Sequence, residues 1–223
     1  MMRFLNRTEA GRHLAARLGK YARHPDVIVL ALPRGGVPVA YEVAQALDVP
    51  LDVFLVRKLG VPGHPELAMG AIASGGVRIL SHDLIDELGI ALESVDLVTA
   101  SERTELQRRE QLYRGNRLLP DLRGRTVILI DDGLATGATM EAAVEAVRAL
   151  GPARVIVGAP VGAAETCQRL RQHADEVICA EAPYAFQAVG LWYVDFDQTT
   201  DEEVLELLHR AQESRQLTHP HTE

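Results

Sequence analysis

Short apolar runs recur along the chain, and polar or amphipathic sequence separates each run from the next. VIVLAL (27–32), TVILI (126–130) and RVIVGAPV (154–161) are continuous apolar runs, which is typical of strands buried on both faces of a sheet. LDVFLV (51–56) and EVICA (176–180) are two further predicted strands. Because helical patterns lie between these runs, we predict an α/β fold with a doubly wound, mainly parallel sheet and helices on both faces.

Amphipathic segments with start and stop signals predict the helices. Thr8 is the predicted N-cap of the first helix, and Thr200 with Glu203 forms a capping box before the last one. The helices predicted between the strands are GGVPVAYEVAQAL (35–47), residues 139–150 and residues 163–170.

Residues 58–122 break this alternation of strands and helices. The stretch is rich in Gly and Pro near its start, Gly75 and Gly76 form a predicted hairpin turn, and residues 94–113 have the pattern of a charged helix. We expect a single domain over residues 1–223 in which 58–122 is an inserted lid and helical lobe. A surface lobe that does not cover the site is the alternative interpretation.

Composition and charge narrow the functional classes. The 223 residues carry a formal net charge of −8, which disfavours broad binding to nucleic acid or to anionic membranes. No apolar run is long enough to span a bilayer, and the amphipathic start lacks a signal-peptide core, so we predict a cytoplasmic protein. Cys167 and Cys179 lack metal-ligand spacing and are predicted to be reduced packing residues. The oligomeric state is left open, with a homodimer as one possibility.

A short loop of Gly, Ala and Thr follows the third predicted strand. Ala135, Thr136, Gly137, Ala138 and Thr139 lie where the next helix begins, and the first turn of a helix has unpaired N–H groups and partial positive charge. Gly137 permits close approach of an anion, and the two threonines add hydroxyl donors. The loop has no Gly-Lys-Ser/Thr, so it is not a Walker loop, and we predict a monophosphate pocket.

Two acidic residues, Asp131 and Asp132, stand between this strand and the phosphate loop. Direct contact with a phosphate is unfavourable, because two unit charges ~4 Å apart repel by roughly 4 kcal/mol at an effective dielectric constant of about 20. A carboxylate accepts hydrogen bonds, and a pair of vicinal hydroxyls donates two. We therefore predict a ribose 5-phosphate site in which both aspartates bind the ribose hydroxyls. Aspartates turned inward as salt-bridge partners, beside amides already occupied by the protein, would contradict it.

The turn LPRGG (32–36) follows the first predicted strand. Ligands of such sheets bind beyond the carboxyl ends of the strands, so the loops after the first three strands are expected on one edge. Gly35 and Gly36 offer backbone N–H groups to an anion, and Arg34 adds a guanidinium. Lys58, after the second predicted strand, is a further candidate contact. An ordinary strand-to-helix turn with a surface arginine, and a solvated lysine, are the alternatives.

The segment VILIDDGLATGATM resembles the phosphoribosyl-pyrophosphate loop of type I phosphoribosyltransferases. The segments LPRGGVPVA, VRKLGVPGHPELAMGA and AVGLWYVDFDQTTDEEV resemble a bacterial group of such proteins whose acceptor is undefined. The resemblance implies transfer of a 5-phosphoribosyl group from phosphoribosyl pyrophosphate to a nitrogen acceptor such as a nucleobase, with release of pyrophosphate. It implies Mg²⁺ held mainly through the substrate, without a dedicated protein metal site.

The resemblance also implies roles for individual residues. Asp131 and Asp132 bind the ribose hydroxyls, and residues 135–139 bind the 5-phosphate. The LPRGG turn holds pyrophosphate, with a non-proline cis peptide near Arg34–Gly35. Together with the aspartates, Arg34 and Lys58 are the candidate catalytic residues.

A closing segment is needed to exclude water from such a reaction. Residues 59–80 are the predicted lid, with Gly60, Gly63 and Gly70 as pivots. Trp192 is a candidate for stacking on a nucleobase, and aromatic packing inside the fold is the alternative interpretation of this residue.

The identity of the acceptor and the presence of catalysis stay open. Members that act on 6-oxopurines carry an acidic residue where this chain has Ala135, so their usual proton acceptor is missing here. A non-catalytic regulator that binds phosphoribosyl pyrophosphate is the alternative function. The Arg-rich run ERTELQRREQLYRGNR (102–117) would then supply a local basic surface for nucleic acid.

Overall fold

A parallel sheet and a smaller antiparallel sheet organise the chain. The computed structural model describes residues 3 to 218. The helices and strands are α1 Arg7–Arg17, β1 Val27–Ala31, α2 Gly36–Leu47, β2 Leu51–Val53, β3 Val56–Val61, β4 His64–Ala73, β5 Val77–Leu80, α3 His82–Glu87, α4 Leu92–Arg114, β6 Thr126–Ile130, α5 Ala138–Ala149, β7 Arg154–Val161, α6 Ala164–Leu170, β8 Glu176–Glu181 and α7 Asp201–Thr218.

The main sheet has five parallel strands in the order β2-β1-β6-β7-β8. The chain leaves β1 toward one edge of the sheet and leaves β6 toward the other, so the topology reverses between these two neighbours. Ala31, the last residue of β1, is in register with Ile130, the last residue of β6. The predicted fold class is confirmed, and the crevice where such sheets bind ligands lies beyond these two residues.

Successive residues of the central strands enter two different hydrophobic clusters. Val27, Val29 and Ala31 pack with α1, α2 and α7 on one face of the sheet. Ile28 and Leu30 pack with α5 and α6 on the other face. Side chains alternate between the faces of a strand, so a strand covered on both faces must be apolar at every position. This explains why β1, β6 and β7 read as continuous apolar runs.

The second predicted strand, LDVFLV (51–56), is divided between the two sheets. Strand β2 ends at Val53, and Val56 opens β3, where it pairs with Ala73 of β4. Between them, the Phe54 N–H still donates to the Ala31 carbonyl at 2.8 Å. The Leu55 N–H donates instead to Ser74 Oγ at 3.1 Å. The apolar run therefore passes from one sheet to the other. The sequence did not predict this break because the hydrophobicity does not change there.

The predicted cap of the first helix is wrong, and the predicted cap of the last helix is confirmed. Asn6, not Thr8, caps α1, because the Asn6 side chain accepts the Glu9 N–H at 3.0 Å. Thr8 lies within the helix. Before α7, Thr200 Oγ1 accepts the Glu203 N–H at 3.1 Å, as expected for a capping box.

Residues 56–114 form the antiparallel sheet β3-β4-β5 followed by α3 and α4. Gly75 and Gly76 both have positive φ at the turn between β4 and β5, where a hairpin turn was predicted. Helix α4 is longer than the predicted 94–113. The buried Arg114 at its end is anchored to Asp52 of β2 at 3.1 Å.

Two of the three glycines predicted as lid pivots serve another purpose. A Cβ atom at Gly60 would lie 2.8 Å from the Pro65 Cα, and one at Gly70 would lie 2.3 Å from the Ile79 carbonyl oxygen. These positions need glycine because neighbouring strands pass close to them. Gly63, with φ of +81°, lies in the turn of the β3–β4 hairpin.

The cysteines are joined, contrary to the prediction that both are reduced. Cys167 of α6 forms a disulfide with Cys179 of β8, over a Cα–Cα distance of 6.8 Å. The two residues are twelve positions apart and face each other only because α6 packs on β8.

None of the helices between residues 3 and 218 combines the length and apolar character needed to cross a membrane.

Candidate functional site

The turn after β1 packs directly on the residues that follow β6. The Leu32 N–H donates to the Ile130 carbonyl at 2.8 Å. A Cβ atom at Gly35 would lie 2.1 Å from Asp132 Oδ2, and one at Gly36 would lie 2.7 Å from the Ile130 carbonyl oxygen. The Gly-Gly pair therefore brings the Pro-Arg-Gly-Gly turn and the two aspartates together at the crevice between β1 and β6.

The N–H groups of this turn are only partly available to a ligand. The Gly36 N–H donates to the Leu32 carbonyl at 3.1 Å, so the prediction that Gly36 binds an anion through its amide is wrong. Within residues 3–218, the N–H groups of Arg34 and Gly35 have no protein acceptor. The cis peptide bond is Pro33–Arg34, one bond earlier than predicted.

The side chain of Arg34 points toward α4 and α7. Its Nη1 lies 3.9 Å from Oδ1 of Asp201, the first residue of α7. The same oxygen accepts the hydroxyl of Tyr113 at 2.5 Å. Burial and this hydrogen bond raise the pKa of Tyr113 to about 12. Arg34 is therefore at the edge of the crevice, loosely tied to an acid that already has a closer partner.

The predicted phosphate loop presents unoccupied amides. Ala135, Thr136 and Thr139 are at least partly exposed, and across the described chain the N–H groups of residues 135–139 have no protein acceptor. Gly137 precedes α5 with φ of +74°, a conformation that favours glycine. A Cβ atom there would also lie 2.5 Å from Thr166 Cγ2. The loop has the geometry that a helix start needs to bind an anion.

Helix α6 holds the carbonyl side of the same loop. Thr166 Oγ1 donates to the Ala135 carbonyl at 2.6 Å. Arg169 donates to the Thr136 carbonyl and also pairs with Glu141 of α5. The loop carbonyls are thus satisfied from one direction, which leaves the amides for a ligand. The sequence did not indicate Thr166 or Arg169, because each lies about thirty residues beyond its partner and belongs to no local motif.

The two aspartates have protein partners already. Asp131 Oδ1 accepts the Asp132 N–H at 2.9 Å. Asp132 Oδ2 accepts a hydrogen bond from Nε of Arg7 and lies 2.9 Å from its Nη2. Both side chains of this ion pair are largely buried, with 12% of Arg7 and 15% of Asp132 exposed. Asp132 is thus a salt-bridge partner through Oδ2, while binding of the ribose hydroxyls by the two aspartates stays a prediction.

Burial dominates the electrostatics of this pair. It raises the pKa of Asp131 well above the ordinary value, and the charge of Asp132 raises it further. Burial also raises the pKa of Asp132, while the ion pair with Arg7 acts in the opposite direction. Two adjacent carboxylates out of water thus depend on one guanidinium to stay ionised.

Arg7 itself was missed by the sequence reasoning. It opens α1, 125 positions before Asp132, and the residues around it resemble any polar helix start. Its Nη1 donates to the Asp197 carbonyl at 2.7 Å, and its Cζ lies 4.0 Å from the centre of the Phe196 ring. Tyr193 completes the surroundings, because its hydroxyl donates to the Asp132 carbonyl at 2.6 Å.

Two predicted site residues lie elsewhere. Trp192 is buried in a cluster with Phe4, Val161 and Tyr193, so the prediction that it stacks on a base is wrong. Backbone pairing explains this, since the Phe4 N–H donates to the Trp192 carbonyl at 2.9 Å. Lys58 is exposed in the middle of β3, opposite Ala71. Lys58 does not follow a strand of the main sheet. The position of its strand therefore no longer predicts that Lys58 lies beside Arg34.

The metal-binding potential of the chain is limited to isolated groups. Among residues 3–218, no three His, Cys, Asp or Glu side chains come together as a candidate metal site. Mg²⁺ needs few protein ligands when substrate phosphates supply most of the oxygens, so the crevice is compatible with a metal held through the substrate.

Comparisons with known proteins identify the family of this chain. The family model described as Phosphoribosyl transferase domain matches residues 4–68 and 63–194. Two Mycobacterium tuberculosis proteins, "Putative phosphoribosyl transferase MT0597" of strain CDC 1551 and "Putative phosphoribosyl transferase Rv0571c" of strain H37Rv, are each 46% identical over 211 residues. These matches include 95% of this chain but 47% of theirs, so the chain spans about half the length of these relatives.

A solved structure extends the agreement to three dimensions. The crystal structure of TT1426 from Thermus thermophilus matches with a TM-score of 0.84 and 43% identity, over 94% of this chain and 99% of that one. The residues matched by the family model include the aspartate pair, the phosphate loop and the turn after β1. The chain belongs to the phosphoribosyl transferase domain family.

Proposed function

We propose that the protein is a Mg²⁺-dependent phosphoribosyltransferase. It transfers the 5-phosphoribosyl group of phosphoribosyl pyrophosphate to a nitrogen acceptor such as a nucleobase and releases pyrophosphate. The observation that carries this proposal is the pairing of unoccupied amides in residues 135–139 with the acidic residues Asp131 and Asp132, at the reversal point of the sheet. Family membership supports the reaction class.

The phosphate loop binds the 5-phosphate of the substrate in this proposal. Five backbone N–H groups without protein acceptors stand at the start of α5, where the helix dipole favours an anion. The Thr136 and Thr139 hydroxyls add donors. Because Thr166 and Arg169 hold the loop carbonyls, the amides are oriented before the ligand arrives, and little ordering remains to be done on binding.

The diol of the ribose binds to the carboxylate oxygens that the protein leaves unused. Asp132 Oδ1 has no hydrogen-bond partner among the described residues, and Asp131 accepts only the Asp132 N–H. The pyrophosphate binds over the Pro-Arg-Gly-Gly turn, to the N–H groups of Arg34 and Gly35 and to the Arg34 guanidinium. Lys58 is retained as a second pyrophosphate contact that a movement of its hairpin would have to supply.

The chemistry is displacement at the anomeric carbon. The C–O bond to pyrophosphate breaks, the acceptor nitrogen forms the new bond, and the acceptor loses a proton. Positive charge develops on the ribose ring, so positioning and electrostatic stabilisation are the main contributions of the protein. Mg²⁺, held mainly through the substrate phosphates, would supply positive charge to the leaving group, beside the Arg34 guanidinium. The β3–β4 hairpin is the proposed lid that excludes water, as part of the inserted region 58–122.

One observation weakens the alternative of a nucleic-acid-binding regulator. Several arginines of the run 102–117 are engaged by acidic side chains. Glu105 pairs with Arg108 at 2.8 Å and with Arg109 at 2.7 Å. Arg114 is buried against Asp52. This helix therefore presents little unpaired basic surface, and the proposal of a small-molecule transferase is favoured.

Calorimetry with phosphoribosyl pyrophosphate and Mg²⁺ tests the proposal, followed by a pyrophosphate-release assay over a panel of nucleobases and other nitrogen acceptors. We expect binding, and release with at least one acceptor. Binding without release for every acceptor would favour the non-catalytic regulator. Absence of binding would reject both functions. A variant with Asp131→Asn and Asp132→Asn should lose binding in either case.

A further inference from the structure

The N-terminal segment and the stretch that precedes α7 meet beside the aspartate pair. The Val194 N–H donates to the Phe4 carbonyl at 2.8 Å, and the Asp195 N–H donates to the Leu5 carbonyl at 2.9 Å. This pairing leads the N-terminal segment into α1, whose first residue is Arg7. It also places residues 193–197 around the Arg7 side chain. The contacts converge on one residue of the candidate site, Asp132.

Arg7 is held in a single orientation by three different groups. Two of its nitrogens engage Asp132 Oδ2, its third nitrogen binds the Asp197 carbonyl, and its flat face lies on the Phe196 ring. A guanidinium suits this environment because it is planar, permanently charged and weakly hydrated. The other side of Asp132 is fixed by its carbonyl, which accepts the Tyr193 hydroxyl. Such restraint of one carboxylate exceeds what anchoring α1 requires.

The electrostatic consequence concerns both aspartates. Ionised carboxylates that are adjacent and buried repel each other, and burial favours their neutral forms. Arg7 is the cation whose charge opposes this for Asp131 and for Asp132. An ionised carboxylate only accepts hydrogen bonds and binds hydroxyl donors more strongly, whereas a protonated one presents a donor of its own.

We propose that Arg7 is a positioning residue for the ribose diol: its two contacts with Oδ2 hold Asp132 turned so that Oδ1 and the Asp131 carboxylate face the sugar hydroxyls. This inference rests on the proposed binding of a ribose 5-phosphate group. Arg7 touches no reacting atom in it. Its effect is selectivity for a sugar phosphate over a bare phosphate, because the amides of residues 135–139 bind the phosphate without its help.

The test compares three ligands on four proteins. Calorimetry measures the affinities of ribose 5-phosphate, 2-deoxyribose 5-phosphate and inorganic phosphate over a range from about pH 6 to about pH 9. The proteins are wild type, Arg7→Met, Arg7→Lys and the control Arg12→Met. Arg12 belongs to the same helix but pairs with Glu42 at 2.8 Å, and its side chain is 70% exposed.

We expect Arg7→Met to bind ribose 5-phosphate at least about tenfold more weakly than wild type near neutral pH. The affinity for inorganic phosphate should change by less than about twofold, since the phosphate loop is intact. The preference for ribose over 2-deoxyribose should shrink. Without Arg7 the aspartates need a higher pH to ionise, so the lost affinity should return as the pH rises. Arg7→Lys keeps the charge without the two-point contact and should be intermediate.

Several results would overturn the inference. One is that Arg7→Met binds ribose 5-phosphate with the affinity and pH profile of wild type. Another is that its affinity for inorganic phosphate falls as much as its affinity for ribose 5-phosphate, which would indicate a purely structural role. Tighter binding by the variant would identify Arg7 as an inhibitory occupant. If Arg7→Met fails to fold, Arg7→Lys and Tyr193→Phe carry the test, and unchanged ligand selectivity in both would reject it. Failure of wild type to bind ribose 5-phosphate rejects the proposed function instead.

Discussion

The candidate site has two halves, the amides of residues 135–139 and the two aspartates. They differ in whether the protein itself supplies hydrogen-bond or charge partners. The amides of residues 135–139 have no protein acceptor in the described chain and lie on a loop that is largely open to solvent. The aspartates beside them are shielded, and Asp132 already has a buried cation for a partner. An exposed N–H group is satisfied by water until a ligand displaces it. A buried carboxylate has no such substitute, so it needs a protein partner before any ligand arrives.

This difference teaches where substitutions should affect binding and where they should affect folding. Changes in the phosphate loop should remove affinity while leaving most of the stability. Changes at the aspartates should alter both properties, because Asp132 takes part in an ion pair that belongs to the fold and Asp131 is buried beside it. The following predictions test this division, beginning with the largest expected effect.

Gly137→Ala should weaken binding of phosphoribosyl pyrophosphate by roughly 100-fold. The new Cβ would lie 2.5 Å from Thr166 Cγ2, so the loop must shift and its amides lose their common direction. Gly151→Ala is the matched control, because Gly151 has nearly the same positive φ but its nearest contact is Arg123 Cγ at 3.8 Å. Both variants should lose about 1 kcal/mol of stability through backbone strain, and only Gly137→Ala should lose affinity in calorimetry.

Asp132→Asn and Asp131→Asn should change stability in opposite directions. The first leaves the buried Arg7 without its anion and should reduce the free energy of unfolding by about 2 kcal/mol. The second removes a carboxyl whose charged form is disfavoured by burial and by the neighbouring carboxylate, so it should increase that free energy at a pH where the wild-type Asp131 is ionised. Urea denaturation measures both values. Equal destabilisation by the two variants would contradict the assigned electrostatics.

Thr166→Val should weaken phosphate binding by about fivefold, a free energy of roughly 1 kcal/mol. Valine keeps the shape but removes the hydroxyl that donates to the Ala135 carbonyl. The loop would then be less well ordered before binding, and its ordering would reduce the affinity. Titration with inorganic phosphate detects the change without involving the aspartates. An unchanged affinity would mean that the loop keeps its conformation without support from α6.

The raised pKa of Asp131 sets the direction in which the stability of the protein should change with pH. In the range between the ordinary and the raised pKa of Asp131, the folded state binds more protons than the unfolded state. The stabilisation is therefore present on the acidic side of this range and is lost as the pH rises through it. The difference in unfolding free energy between Asp131→Asn and wild type should grow as the pH rises through this range. Thermal melts across this range measure it, and a constant difference would contradict the assignment.

Much of the fold was predictable because its signals are local. A strand covered on both faces must be apolar at each position. VIVLAL (27–32) and RVIVGAPV (154–161) can therefore be recognised as strands from the sequence. The start of α5 was also visible, since a glycine with threonines after a strand is a sequence property. The phosphate loop is one continuous segment, and its chemistry comes from its own backbone.

The other parts of the site depend on residues that are distant in sequence. Arg7 meets Asp132 across 125 positions, Thr166 reaches Ala135 across 31, and Cys167 faces Cys179 because a helix lies on a strand. The sequence by itself determined the segments that form the main sheet and the place of the predicted phosphate loop, because periodicity and backbone geometry act over a few residues. Only the tertiary structure decided which charge neutralises Asp132, where Lys58 and Trp192 lie, and which amides stay unoccupied, because packing selects partners that no local pattern marks.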